Sequence, residues 1–241
     1  MSALPEAPDC VVIAVPRDAV EACVRECAEA GVGGDVIYAS GYAETAIPER
    51  VALQRMLTEI SRASGMRIIG PNCMGFLNMN AMVLAAFSSI MNNVRRPPRP
   101  GIALVSQSGA IGFGLAQSMD SGTNISCVAT AGNSCDVDIA DEIAFMAEEP
   151  GCAAIACVFE GLPEPTRFLE AAGIAWKNGK PLVVCKLGVG EQGAAMAMSH
   201  TGSLAGSHAA YMAAFERAGI IVVNDLTELL ETAAFFAKAP S

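Results

Sequence analysis

Short apolar runs alternate with stretches whose apolar residues recur every three or four positions, and the alternation runs almost the whole length of the chain. Residues 10–15 (CVVIAV) predict a buried strand closed by Pro16, and residues 18–30 carry apolar side chains at helical spacing as far as Gly31. Residues 36–39 predict a second strand and 48–63 a helix stopped by Gly65. Residues 67–69 predict a third strand, running into Gly70-Pro71-Asn72-Cys73. A βαβαβ order with short connections predicts a parallel sheet joined by right-handed crossovers.

Arg95-Arg96-Pro97-Pro98-Arg99-Pro100 interrupts this rhythm. Proline stiffens the segment and arginine keeps it in water. It reads as a linker rather than a loop within one domain, because a second complete series starts beyond it. That series predicts strands over 102–106, 126–130, 153–159, 182–186 and 220–223. Helices are predicted over 110–121, 139–148, 165–177, 209–218 and 226–237. Five strands alternating with helices fit a flavodoxin-like, doubly wound parallel sheet. The expected division is therefore a first domain over 1–94, a linker over 95–100 and a second domain over 101–241. The first domain is short. A complete dinucleotide-type fold joins two such halves and carries a Gly-rich phosphate turn after its first strand, whereas Pro16-Arg17-Asp18 follows the first strand here. The expectation is a minimal domain or one whose N-terminal half is missing from this sequence.

Composition narrows the class. The chain has 241 residues, 52% of them hydrophobic and 17% charged, which suits buried parallel strands and excludes intrinsic disorder. The formal net charge of −10 disfavours nucleic acid or an anionic membrane as partner. The start of the chain lacks the basic and apolar regions of a signal peptide. Two long uncharged stretches, 68–94 and 100–119, are interrupted by Gly, Asn, Ser or Gln, so a cytoplasmic protein without a membrane span is expected. Nine scattered cysteines include no CxxC pair, and there are only two histidines, His200 and His208. Reduced, packed thiols and no metal site are the expectation.

Polar, Gly-rich patches stand where strands end, the place ligands favour in open α/β sheets. They are residues 70–75 (GPNCMG), 106–109 (SQSG), 131–138 (AGNSCDVD) and 199–206 (SHTGSLAG), with Glu160 closing an otherwise apolar strand. Each is weak alone. SQSG joins a strand to a helix and so offers amides at a helix N-terminus, although Ser106 or Ser108 capping that helix explains it equally well. Glu160 reads either as an ordinary loop charge or as a carboxylate placed to orient an imidazole. His200 sits among small residues that leave room for an adduct on the ring. His208, near the start of a predicted helix, is the weaker acceptor. Cys73 has no histidine nearby in sequence to activate it and reads as packing. Asp136 and Asp138 either shape the 131–138 loop or, for Asp138, cap a helix.

Taken in order, GPNCMG, IALVSQSGAIG, AGNSCDVD, FEG and SHTGSLAG resemble the α portion of the NDP-forming acyl-CoA synthetases. These are also called ADP-forming acetate–CoA ligases and are relatives of succinyl-CoA synthetase. The resemblance spans nearly the whole chain. It implies a truncated Rossmann-like CoA-binding domain with Val15, Pro16, Ser40, Gly41, Pro71, Asn72 and Cys73 at its CoA rim. A succinyl-CoA-ligase-like flavodoxin-like domain follows. It implies that His200 is transiently phosphorylated, that Glu160 steadies it, and that Gln107, Ser108, Gly109, Thr201 and Gly202 cradle the phosphoryl group. Gly132 and Asn133 fall on the substrate loop.

The implied ligands are CoA, a small carboxylic acid or its acyl-CoA, and ATP or ADP. The nucleotide, with its Mg, belongs mainly to an ATP-grasp domain or β subunit, and nothing in this chain resembles that portion. An oligomer is expected. The chemistry is consistent: neutral imidazole attacks an acyl phosphate near pH 7, and a carboxylate on the other ring nitrogen fixes the tautomer. A noncatalytic acyl-CoA-binding or regulatory module is the rival, against which the intact SHTGS stands. Flavin binding would rest on topology alone.

Overall fold

The computed structural model describes residues 4–188 and 208–238. The first sheet is parallel, in the order β1 (Cys10–Ile13), β2 (Gly34–Ile37), β3 (Arg67–Ile69). Helix α1 (Arg17–Glu29) connects the first two strands, and α2 (Pro48–Ser64) the last two. Proline in the first turn of α2 costs no internal hydrogen bond, and Gly65 stops the helix in the left-handed region at φ 77°. Val20, Val24 and Cys27 of α1, with Leu57 and Ile60 of α2, pack on Ile13, Ile37 and Ile68. β2 begins two residues earlier than the apolar run predicts, because it takes in Asp35, a carboxylate buried at 1% exposure.

The chain then crosses to a second sheet through a hairpin that the hydrophobic pattern does not announce, β4 (Gly75–Asn78) and β5 (Val83–Ala86). The connecting residues 79–82 (MNAM) lack the Gly, Pro or Asp signal of a tight turn, and Met82 takes the left-handed conformation instead at φ 58°. β4 pairs antiparallel with β5 and with β7 (Ile125–Thr130), so strand pairing places this hairpin on the second sheet although it precedes the 95–100 segment. Thr130 pins the crossing: its hydroxyl donates to Gly75 O at 2.8 Å and accepts from Met74 N at 3.2 Å. Val36, Cys73 and Ala85 fill the space between the first sheet and the hairpin.

The remaining strands are β6 (Gly101–Ser106), β8 (Cys152–Phe159), β9 (Leu182–Lys186) and β10 (Ile221–Val223). The sheet runs β10-β9-β8-β6-β7-β4-β5, and its five parallel strands follow the flavodoxin-like order. Every residue of β6 and β7 is buried, as expected for parallel strands covered on both faces. Helices α4 (Ile139–Glu148), α5 (Pro165–Lys177) and α6 (His208–Arg217) cover one face. Helices α3 (Gly109–Ala116) and α7 (Leu226–Lys238) cover the other.

All nine cysteines are free, and the thiols of Cys27, Cys73 and Cys127 are pushed up to about 12, in each case first by burial. Among the described residues no helix is long and apolar enough to cross a membrane. No cluster of His, Cys, Asp and Glu in that part of the chain is arranged to hold a metal.

Candidate functional site

A cavity of about 470 Å³ opens where the loops of the two sheets meet. Its wall takes Asn72 and Cys73 from GPNCMG, Gln107, Ser108 and Gly109 from SQSG, Gly132 and Asn133 from AGNSCDVD, and Glu160 from the end of β8. Four separate strand-end motifs, spread over some ninety residues of sequence, therefore share one wall. The loops after β6 and β8 meet at the switch point of the sheet, where the chain has finished one flank and begins the other.

At that switch point Gln107 holds the Glu160 turn. Its Oε1 accepts from Glu160 N at 2.8 Å and from Gly161 N at 3.4 Å, while its Nε2 donates to Gly161 O at 2.7 Å. The Gln107 amide N–H goes to Val158 O. The side chain expected to bind phosphate is thus engaged in shaping the neighbouring turn. Ser108 caps α3, its hydroxyl accepting from Ile111 N, and Ser106 Oγ accepts from Ser108 N. The amides of Gly109 and Ala110, both in the cavity wall, belong to the first turn, where a helix makes no internal bond for its N–H groups. They are the anion-binding donors this loop offers. Glycine is needed at 109, since a Cβ there would stand 2.6 Å from the Met74 side chain.

Asn133 knots the two halves of the wall. Its Nδ2 donates to Glu44 Oε2 and, at 2.9 Å, to Gln54 Oε1, and its Oδ1 accepts from Asn72 Nδ2 at 3.2 Å. Its amide donates to Pro71 O at 2.9 Å. Glu44 in turn accepts from the Gly41 and Tyr42 amides. Gly132 makes this approach possible, because at φ 58° a Cβ would meet the carbonyl oxygens of Pro71 and Asn72, each at 2.6 Å. The approach is open only to glycine.

Of the other expected CoA-rim residues, Ser40 lines the cavity, whereas Val15, Pro16, Gly41 and Pro71 are outside its wall. Pro16 is the N-cap of α1 and exposed. Cys73 is buried with its thiol 3.4 Å from Ile37 O. Asp138 caps α4 in a reciprocal capping box with Asp141. His200, Thr201 and Gly202 lie outside the described residues, and His208 opens α6.

The match to known families decides the lineage. Residues 99–236 match the succinyl-CoA ligase like flavodoxin domain and residues 1–79 the CoA binding domain. The chain belongs to the succinyl-CoA ligase-like family. Within it, the chain is similar to the α subunits of ADP-forming acetate–CoA ligases. It is 37% identical over 236 residues to the acetate–CoA ligase (ADP-forming) II subunit alpha of Pyrococcus furiosus, covering 98% of this chain and 50% of that protein. It is 31% identical to the 4-hydroxybutyrate–CoA ligase (ADP-forming) of Nitrosopumilus maritimus, covering 34% of that protein. The solved acetyl-coenzyme A synthetase 1 of Ca. Korarchaeum cryptofilum, in complex with phosphate and ADP, superposes with a TM-score of 0.88 at 32% identity. That likeness covers 99% of this chain and 50% of the other. The chain thus spans half the length or less of these relatives.

Behind the Glu160 turn, outside the cavity wall, stands one further charged group that the motifs did not flag. Lys186 ends β9 in register with Phe159, the residue before Glu160, and is only 6% exposed. Its ammonium donates to Leu187 O at 3.2 Å and lies 5.6 Å from the centre of the Tyr211 ring, whose hydroxyl accepts from Leu162 N. Burial pulls the lysine below its ordinary value, and the field of Glu160 opposes that shift. A charge closing an otherwise apolar strand is the same signal that singled out Glu160.

Proposed function

We propose that this chain is the α-type portion of an NDP-forming acyl-CoA synthetase. It would interconvert acyl-CoA, NDP and phosphate with a carboxylic acid, CoA and NTP through an acyl phosphate and a phosphorylated His200. The observation that carries the reading is the convergence of Asn72, Gln107, Asn133 and Glu160 on one cavity between the two sheets. The wall suits a thioester: Tyr38, Met74 and Phe87 offer apolar surface for an acyl chain and the CoA arm, while Ser40 and Asn72 offer polar atoms.

In the direction of acid release, phosphate attacks the thioester carbonyl, the C–S bond breaks, and CoA thiol departs. The amides of Gly109 and Ala110 receive phosphoryl oxygens at the start of α3. An imidazole nitrogen of His200 then takes the phosphoryl group and the carboxylate leaves. Glu160 accepts the other ring N–H and offsets the positive charge that grows on the ring; one of its oxygens is buried without a partner among the described residues and so is open to that bond. An ATP-grasp portion, on the same or a separate chain, supplies NDP and its magnesium for the last transfer.

The test is phosphoenzyme formation with the ATP-grasp portion and labelled NTP. The chain should acquire acid-labile, base-stable phosphate, and His200→Ala should abolish it. Glu160→Gln should lower the label about ten- to hundredfold, the scale of one charge-assisted hydrogen bond. His208→Ala should leave it nearly intact. Loss of label in His208→Ala with retention in His200→Ala overturns the assignment. If neither matters, the chain is a noncatalytic acyl-CoA-binding module.

A further inference from the structure

At about 470 Å³ the cavity is in the range of small-ligand pockets, and on the acyl-CoA reading the adenosine end of CoA, with its diphosphate and 3′-phosphate, lies beyond it. Outside the wall, next to Ser40, two cations converge on Gly41. A Cβ on Gly41 would stand 3.1 Å from Arg17 Nη1 and 3.5 Å from Arg50 Nη1, so both guanidinium groups crowd one side of this glycine. Arg17 spends its Nε and Nη2 on Asp18, a surface carboxylate, and leaves Nη1 turned toward Gly41. Arg50, in the first turn of α2, has no ion-pair partner among the described residues. The nearby carboxylate of Glu44 is already engaged by the Gly41 and Tyr42 amides and by Asn133. Gly41 itself, at φ 97°, keeps the space between the guanidiniums free of a side chain.

Two guanidinium groups facing one glycine, Arg17 through its unengaged Nη1 and Arg50 without an ion-pair partner among the described residues, form a receptor for a multivalent anion, and guanidinium matches phosphate oxygens in pairs. From this we infer that Arg17 and Arg50 bind a phosphate group of CoA. The inference rests on the acyl-CoA reading of the cavity. It places the nucleotide end of CoA over Gly41 and the thiol end at Asn72 and Glu160.

Calorimetric titration of the full chain with CoA, dephospho-CoA, 4′-phosphopantetheine and inorganic pyrophosphate tests it. Arg17→Ala and Arg50→Ala should each weaken CoA about tenfold or more, and added salt should narrow the gap from wild type. If the 3′-phosphate is the group held, dephospho-CoA should bind wild type as weakly as CoA binds the variants. If the diphosphate is held, only 4′-phosphopantetheine should lose affinity. Wild-type CoA affinity in both variants, with their folding verified by circular dichroism, overturns the inference and leaves the proposed function standing. Absence of CoA binding to wild type overturns the CoA assignment of this rim. In that event arginine-dependent pyrophosphate binding upholds the anion site, and arginine-independent or absent pyrophosphate binding sinks it.

Discussion

Replacing Gln107 by leucine separates two roles for one side chain. Leucine fills nearly the same volume but removes an acceptor shared by Glu160 N and Gly161 N and a donor to Gly161 O. Three backbone groups of the Glu160 turn would then lack their partner. An orphaned buried polar group costs about 1–3 kcal/mol, and these are half-buried beside an open cavity where water can reach them. The expected loss is therefore nearer about 2–4 kcal/mol in total than the sum of three full penalties. Urea denaturation of the chain measures it. Phosphoenzyme formation with an ATP-grasp portion should fall in parallel, through a lower rate and not a weaker apparent affinity for phosphate, because the glutamine positions Glu160 without touching the phosphoryl group. Gln107→Glu should be intermediate in stability, keeping the acceptor and losing the donor. Unchanged stability together with a markedly raised KM for phosphate would refute the argument and make Gln107 a direct ligand.

Asn133→Ala should destabilise the chain by about 2–4 kcal/mol, since Glu44, Gln54 and Asn72 all lose a partner, and should weaken CoA binding at the same time; a change under about 0.5 kcal/mol in urea denaturation would mean that water replaces the amide. Asp35 is pushed up by burial to about 6, against the opposing hydrogen bond of the Cys27 thiol, so the folded chain holds a proton there that the unfolded chain releases. Stability from this group is present below the ordinary carboxylate range and is lost as pH rises toward 6. Asp35→Asn should therefore gain on wild type across that window, by up to about 3 kcal/mol at pH 7, in thermal or urea denaturation followed against pH. A difference that is flat with pH would show that Asp35 is ionised in the fold.

Most of the architecture is legible in the residues because parallel strands buried on both faces are continuous apolar runs, and β6, β8 and β9 are nearly uniform in Ala, Val, Ile, Leu and Cys. The hairpin β4–β5 escapes the same reading. It is apolar apart from Asn78 and Asn80, turns without glycine or proline, and shows its antiparallel partner only in three dimensions. β2 is misplaced by two residues for the opposite reason, a carboxylate inside a strand. At the site, the strand-end motifs announce which loops matter but not what their side chains do. Gln107 looks like a phosphate donor in SQSG until its amide is found on Gly161, 54 residues away. Asn133 looks like part of a substrate loop until it is found holding Glu44, 89 residues away. Lys186 was readable, as the charge that ends LVVCK.

The two walls of the cavity are held together by contacts of two kinds, and they differ in worth. Arg67 of β3 reaches across to Asp136 and Asp141, and Arg167 of α5, on the second sheet's own side, braces Asp138 and Asp141. Both arginine side chains are about half exposed, at 55% and 42%, so solvent and salt screen these pairs and each contributes on the order of 0–1 kcal/mol. Burial alone would raise the Asp141 carboxyl, but the Arg167 hydrogen bond and the Asp138 amide outweigh it and hold the group low. The firmer bonds are the shielded ones: Thr58 hydroxyl to Cys135 O at 2.7 Å, Asp136 to Ile68 N at 2.9 Å, and the Asn133 knot. All of these run from the first sheet or its helices to the single loop that follows β7. A ligand that moves Asn72 therefore acts on Gly132 and Asn133 as well, in the same loop whose Asp138 caps α4. The loop after β7 thus ties the first sheet and α2 to the start of α4.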